Sequence, residues 1–300
     1  MRALALLVPL AGCAVAPPPP ALDAATPIAP ALAPAPAPAE IRITEARLEQ
    51  GGFARGRVRP ANAVLTLDGA PVPVAADGGF FIAFGRDAAA AVKLGAHAAA
   101  GGTSLGFSLP LAIRPRSFPE ERLPPINRRF EADPDFAARR AEEVARIGAA
   151  RAASSSETGW RQAFVMPAAG RISGVFGSRR IFGDSVQDPH SGTDIAAPEG
   201  APVLAPADGV VVIASPPEFS LEGKLVIVDH GLGLYSSFLH LSRVDVAVGD
   251  RLRQGDSIGA VGASGRVTGA HLHWGVIWRG VRFDAEALVR RPGTDSVPAK

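Results

Sequence analysis

The sequence predicts a mainly β chain with one connecting helix, arranged as two β bodies in series. Three observations carry that prediction. Short apolar runs separated by Asp-Gly turns recur between Ile41 and Ile113, as in a small antiparallel sandwich. A second series, from Val203 to Val261, is punctuated by Gly-Asp pairs at Gly249-Asp250 and Gly255-Asp256, a hairpin layout in which glycines set the turns. A helix opening occurs at Asp133-Pro134, where an N-cap residue precedes a proline suited to the first helical position.

Composition narrows the function. Of 300 residues, 47% are hydrophobic and 20% charged, with a net charge of +2, so a packed core is available. No run of Lys or Arg exceeds two residues, which argues against a phosphate-binding surface and against nucleic acid as a partner. Gly 33 and Pro 28 are well above ordinary usage and point to many turns and a stretch without a fold. The single cysteine, Cys13, excludes an intramolecular disulfide, a thiolate zinc cluster and an iron–sulfur site. A metal would therefore rest mainly on His, Asp or Glu.

Residues 1–12 read as a signal peptide, with Arg2 as its positive end and Ala3 to Leu10 as its apolar run. Leu10-Ala-Gly-Cys13 resembles the bacterial lipoprotein box, in which the cysteine is lipidated after cleavage. A plain signal peptide cut after Ala16 is the alternative, but Pro17 would follow the scissile bond. No run reaches the roughly 20 apolar residues a bilayer span needs, so Cys13 implies a chain anchored to the membrane rather than spanning it. Residues 13–39, rich in Ala and Pro, form a polyproline-type tether of about 70 Å reach at about 3.1 Å per residue.

Residues 40–114 form the first β body: Ile41-Arg-Ile43 alternates, Asp68-Gly69 and Asp77-Gly78 mark turns, and Phe80 to Phe84 is a strong strand. His97 stands alone there and is read as a non-ligand. Residues 115–160 are a connector, proline-rich up to Asn127, then a helix from Asp133 to about Ala153 with Phe136, Val144 and Ile147 on one side. Arg128, Arg129, Arg139, Arg140, Arg146 and Arg151 make it basic. The expectation is a solvated face, with contact to an anionic polymer or lipid head group as the sharper alternative.

The chemistry lies in residues 161–300, where five of the six histidines fall between His190 and His273. His190-Ser-Gly-Thr-Asp194 spaces a His and an Asp four apart, which on a strand places both on one face. His271-Leu-His273 puts two imidazoles two apart, again on one face of a strand. A His/Asp pair plus one further His gives the three N/O ligands of a catalytic zinc, the fourth position being left to water. His240, ending Tyr235-Ser-Ser-Phe-Leu-His240, leaves an imidazole for proton transfer. His230, in an Asp-His-Gly turn, is read as structural, and Trp274 and Trp278 as core or groove wall.

From about Met166 to Leu288 the chain resembles the LytM or lysostaphin-type zinc metallopeptidases, the M23 peptidase family. The resemblance rests on Phe176-Gly-Ser-Arg179, His190-Ser-Gly-Thr-Asp194-Ile-Ala-Ala-Pro-Glu-Gly200 and Val228-Asp-His-Gly231. It continues through His240-Leu-Ser242, Val248-Gly-Asp250, Ser264-Gly265 and Thr268-Gly-Ala-His-Leu-His-Trp274. It implies an antiparallel lysostaphin-type peptidase domain that hydrolyses peptide cross-links of bacterial peptidoglycan through a metal-activated water. It also implies one Zn2+ per chain on His190, Asp194 and His273, and His240 and His271 as unliganded catalytic histidines. Two positions depart from the pattern: Ala270 stands where the family usually has Pro, and Phe238 where it often has Tyr.

The resulting expectation is a zinc metalloendopeptidase of the cell envelope, a lipoprotein held by Cys13. Ala14 after that cysteine suits outer-membrane sorting facing the periplasm. Peptidoglycan stem peptides are the expected partners, with room for cell-envelope proteins. The alternative is a non-catalytic activator or scaffold of other cell-wall hydrolases, as some relatives that lost ligands are. A biotinyl- or lipoyl-type carrier is disfavoured, because Lys224 lies outside the Gly-Asp repeat.

Overall fold

Among the described residues, seven strands form before residue 113: β1 (Glu40–Arg47), β2 (Phe53–Arg59), β3 (Val64–Leu67), β4 (Ala70–Val72), β5 (Gly79–Ala83), β6 (Ala91–His97) and β7 (Phe107–Ala112). They make two antiparallel sheets, ordered β1-β2-β5 and β4-β3-β6-β7. Asp68 and Gly69 both take positive φ, 48° and 85°, so the two-residue turn joining β3 to β4 has the twist paired strands require. Phe80, Phe81 and Ile82 of β5 are fully buried. The computed structural model describes residues 39–97, 106–123, 133–152, 155–182, 185–186 and 188–290. The expected signal peptide, Cys13, the tether up to residue 38, Arg128 and Arg129 lie outside them.

The connector carries β8 (Glu120–Leu123) and the helix α1 (Phe136–Ala152), followed by a 3-10 turn at Gly159–Arg161. The remainder of the chain adds β9 (Arg171–Gly174), β10 (Arg179–Phe182), β11 (Ser185–Val186), β12 (Thr193–Ala196), β13 (Pro202–Leu204), β14 (Gly209–Ala214) and β15 (Lys224–Asp229). It ends with β16 (Leu234–Leu241), β17 (Arg243–Val244), β18 (Arg251–Leu252), β19 (Ser257–Ala260), β20 (Leu272–Trp278) and β21 (Val281–Phe283). The main sheet runs β18-β14-β15-β16-β20-β12-β9, with β21 also on β20. Smaller sheets are β13-β19-β17 and β11-β10-β8. In the latter, β8 runs parallel to β10, a short strand where the proline-rich sequence predicted an irregular connector. Pro119 and Pro124 bracket it, and an edge position tolerates prolines that cannot donate to a ladder.

The continuous apolar run of β15 has a physical reason. Val226 and Val228 face the main core, whereas Leu225 and Ile227 face a second cluster with Ile213, Phe219 and Tyr235, against which Ile147 and Ala150 of α1 pack. A sheet covered on both faces needs apolar residues on both. The expected apolar face of α1 is corrected here: Val144 is 53% exposed, while Glu143 is 7% exposed. Glu143 accepts hydrogen bonds from the Ser220 N–H and Oγ, both at 2.7 Å, and pairs with Arg140 at 3.1 Å. The expectation of a solvated basic face is corrected too. Arg139 donates to Ser220 Oγ (3.0 Å), Arg140 binds Glu222, Arg146 lies 4.4 Å over the Phe219 ring and Arg151 donates to Ser237 Oγ (2.8 Å). These arginines dock the helix.

One apolar cluster extends from Ala39 to Leu288, so the two β bodies share a core. Phe81 lies 6.0 Å from Phe283 and 6.4 Å from Trp278 by ring centroids. Arg55, buried beside Glu45, donates to the carbonyls of Trp160 (2.9 Å) and Gln162 (2.7 Å). Arg116 pairs with Asp284 at 2.9 Å.

Candidate metal centre

Three neighbouring strands of the main sheet, β16, β20 and β12, bring the predicted residues together. Asp194 on β12 pairs directly with His273 on β20, and Leu239 on β16 pairs with His273 from the other side. The expected strand placement of His190 is corrected. The strand begins at Thr193, and His190 sits in the loop before it. Gly192 sets that path: an added Cβ would stand 2.5 Å from the Trp274 carbonyl oxygen and 2.8 Å from His273 Nε2. Only a glycine lets this loop close over β20. His190 and Asp194 thus converge through a kink, not through strand periodicity.

The donor atoms form a small triangle. His190 Nε2 lies 3.0 Å from His273 Nδ1 and 3.1 Å from Asp194 Oδ1, and His273 Nδ1 lies 2.9 Å from Asp194 Oδ1. All three residues are buried. The His190 Nδ1–H donates to the Val175 carbonyl at 3.0 Å, so the neutral ring turns a bare lone pair at Nε2 to the centre. A tetrahedral ion with bonds of about 2.0–2.1 Å spaces its ligands by about 3.3 Å. The observed edges match that within a few tenths of an ångström, and two imidazoles with one carboxylate are the donor set of a small divalent transition metal. The residues fit zinc.

The surroundings orient the ligands. The second carboxylate oxygen of Asp194 is bound by Arg180, whose Nε also pairs with Glu121 of β8 at 3.2 Å. Gly174 leaves the room, since a Cβ there would stand 2.6 Å from Asp194 Oδ2. Burial works to raise the Asp194 carboxyl, yet the His190 and His273 imidazoles set against it hold it well below the usual range. Burial, then opposed by the Asp194 hydrogen bond and charge, leaves His273 below its ordinary value. Sequence reasoning missed Arg180 and Glu121. Arg180 directly follows the Phe-Gly-Ser-Arg motif, and nothing local ties it to a carboxylate 14 residues on.

Beside the triangle stand His240 and His271, with ring centroids 5.0 Å apart. His240 has φ of 65°, at a point where the pairing of β15 with β16 shifts register. A bulge of this kind re-aims a side chain. The His240 Nδ1–H donates to the Ser264 carbonyl (2.9 Å) and the His271 Nδ1–H to that of Gly269 (2.8 Å). Both rings therefore keep Nε2 as an acceptor, and His271 Nε2 is 3.7 Å from Asp194 Oδ1. Burial, with the nearby His273 and His271, pushes His240 down to about 3.

The Peptidase family M23 model matches residues 188–285, the span that holds all five residues. The similarity to peptidase family M23 falls on these residues. Over 131 residues the chain is 40% identical to peptidoglycan DD-endopeptidase ShyA of Vibrio cholerae, covering 43% of this chain and 30% of that protein. It is 42% identical over 85 residues to the DD-carboxypeptidase/endopeptidase Mpg of Neisseria meningitidis, covering 28% of this chain and 19% of that protein. The chain therefore spans about a third or less of the length of these relatives. A crystal structure of a peptidase M23 from Pseudomonas aeruginosa superposes with a TM-score of 0.61 at 27% identity, covering 81% of this chain and 95% of that one.

The other singled-out residues lie away from the triangle. His230 is fully buried, its Nδ1–H donating to the Asp208 carbonyl (2.7 Å) and its Nε2 accepting from Ser236 Oγ (2.8 Å). Trp274 and Phe238 are wholly buried in the core, and Trp278 nearly so. The departure at Phe238 thus falls in the core. His97 is exposed at the end of β6.

Proposed function

We propose that the chain is a zinc-dependent endopeptidase that hydrolyses peptide cross-links of bacterial peptidoglycan. The observation that carries this reading is the His190–Asp194–His273 triangle with two acceptor imidazoles beside it. His190, Asp194 and His273 would hold the ion. When bound, zinc supplies Lewis acidity and a water acidified to a pKa of about 7. The groove also lies next to His271, whose Nε2 stands 3.7 Å from Asp194 Oδ1.

His271 takes the proton of the attacking water as its oxygen bonds to the peptide carbonyl carbon. The same proton then goes to the leaving amine as the C–N bond breaks, so the ring ends neutral. His240, kept neutral by burial, holds a second acceptor at the same edge of the groove. The carbonyls of Ser264 and Gly269 fix both rings through their Nδ1–H groups.

The address of the protein is part of the proposal: lipidation at Cys13, retention at the outer membrane facing the periplasm, and a tether that reaches the wall. The sequence at residues 10–14 supports it. Among the described residues no helix is long and apolar enough to cross a membrane. The test joins elemental analysis with mass spectrometry of products from a defined cross-linked muropeptide. One zinc per chain and release of monomers are expected. His190→Ala should lose the metal, and His271→Ala should keep the metal and lose turnover by about 10²–10⁴-fold. Full turnover in either variant overturns the assignment.

A further inference from the structure

Between α1 and the main sheet lies a cavity of about 260 Å³. Its polar lining includes Arg140, Arg151, Arg282, Glu222, Ser191 and His273, and Ile147, Leu225 and Ile227 are among its apolar walls. His273 and Ser191 also line the groove over the metal centre, so the cavity adjoins that groove.

The charges in this cavity do not balance. Arg140 is matched, its two Nη atoms binding the Glu222 carboxylate at 2.7 and 2.8 Å and one of them also meeting Glu143. Arg151 and Arg282 have no carboxylate partner among the described residues. Arg151 uses Nη2 on Ser237 Oγ, and its Nε–H is buried with no acceptor. Burial, and then the charge of Arg282, lower the Arg151 guanidinium from its ordinary value, with Glu222 partly offsetting them. A buried donor left without an acceptor is destabilising until a ligand supplies one. Two guanidiniums on one cavity, one with a donor unused, form a site for a planar anion. The guanidinium fork matches a carboxylate, and apolar walls strengthen the attraction by lowering the local dielectric.

We propose that this cavity is a carboxylate-binding subsite, in which Arg151 and Arg282 take a free side-chain or terminal carboxylate of the peptide whose amide lies at the metal centre. The inference rests on the proposed peptidase reading and adds to it the substrate class: an acidic peptide strand, selected by a carboxylate beside the scissile bond. Arg282 on β21 is exposed and can meet the carboxylate at the mouth of the cavity, with Arg151 inside.

The subsite can be tested without turnover. Titration calorimetry on the full chain would compare the tripeptide L-Ala-γ-D-Glu-diaminopimelate with the same tripeptide amidated at its carboxyls. The free acid should bind at least about tenfold tighter, the worth of one charged hydrogen bond. That ratio should fall close to one in Arg282→Gln and in Arg151→Gln. Arg282→Gln is the decisive variant, because an exposed side chain can be replaced with the fold retained, as an unchanged Tm would verify. Equal affinity for the two peptides, no binding of either, or a ratio kept in both variants overturns the subsite. Cleavage of cross-linked dimers with free or amidated carboxyls is read separately. Cleavage without carboxylate preference keeps the peptidase and rejects the subsite. Carboxylate preference in binding without cleavage keeps the subsite and rejects the peptidase.

Discussion

Replacing Arg180 by glutamine removes the cation that fixes the far side of Asp194. Arg180 is 19% exposed in its side chain and Asp194 8%, so the pair is little screened by water. Unit charges about 4 Å apart attract by about 4 kcal/mol at an effective dielectric of 20, and the cost of burying both ions leaves only part of that as net stabilisation. Arg180 is not one of the residues that would hold the ion; it binds Asp194 Oδ2 while Oδ1 faces His190 and His273. Loss of such an outer partner typically weakens metal affinity by about 10–100-fold, or about 1.4–2.7 kcal/mol at 1.36 kcal/mol per decade. The assay is competition between the zinc-loaded protein and chelators of graded affinity, with released metal counted by elemental analysis. Glu121→Gln should weaken binding less, because Arg180 keeps its contact with Asp194. Arg180→Lys should rescue poorly, since a point charge cannot replace a guanidinium that bridges Glu121 and Asp194. An Arg180→Gln protein that holds zinc as tightly as the native chain refutes the reasoning.

Three further outcomes follow from the same geometry. His230, pushed down to about 4 by burial, is neutral in the fold and gains a proton more readily when unfolded. Its contribution is therefore intact above about 6.5 and is lost as pH falls from there to about 4, a swing of about 3 kcal/mol that urea unfolding at stepped pH would show; an unchanged slope in His230→Gln would contradict it. Gly192→Ala drives a methyl into the Trp274 carbonyl and His273, so it should cost about 1–3 kcal/mol in unfolding and reduce zinc affinity. Retained affinity would mean the loop shifts freely. Glu143→Ala leaves the Ser220 N–H without its partner and should destabilise α1 docking by about 2–3 kcal/mol. Hydrogen exchange should then speed up in α1 while β15 and β16 stay protected, and uniform exchange across both would count against a local effect.

Much of the site was legible because its ligands lie in short motifs. His271-Leu-His273 sits at the start of β20 and both imidazoles reach the groove, as period two requires. The His190–Asp194 pair was read correctly as converging but for the wrong reason, since Gly192 bends the chain before any strand begins. Strands with two buried faces, such as β15, announced themselves by unbroken apolar runs. The docked face of α1 did not. Burial of Glu143 depends on Ser220, 77 residues away, and no helical periodicity encodes a partner at that distance. The arginines of α1 gave the composition of a solvated face for the same reason: their acceptors, Glu222 and Ser237, come from the sheet. β8 was hidden by the prolines around it, and Arg180 by the lack of any local sign that its charge is spent on a metal ligand.

The connector explains why the two β bodies are built as one. β8 carries Glu121 to one side of the groove, where it anchors the arginine that holds Asp194. α1 reaches the other side, where Arg140 and Arg151 line the cavity that opens beside His273. The shared core holds both elements in place against the main sheet. Phe81 against Phe283 and Trp278 fixes the first body on the second. Arg116 to Asp284 ties the segment just ahead of β8, and the Tyr235 hydroxyl donates to the last-turn carbonyl of Arg151 (2.9 Å), ending α1 at the sheet. The main sheet without the connector would expose Leu225, Ile227 and Ile213 to water and leave Arg180 with one carboxylate in place of two. β8 and α1 are thus part of the groove and of the metal centre's support, and changes there should be read out in metal affinity as well as in stability.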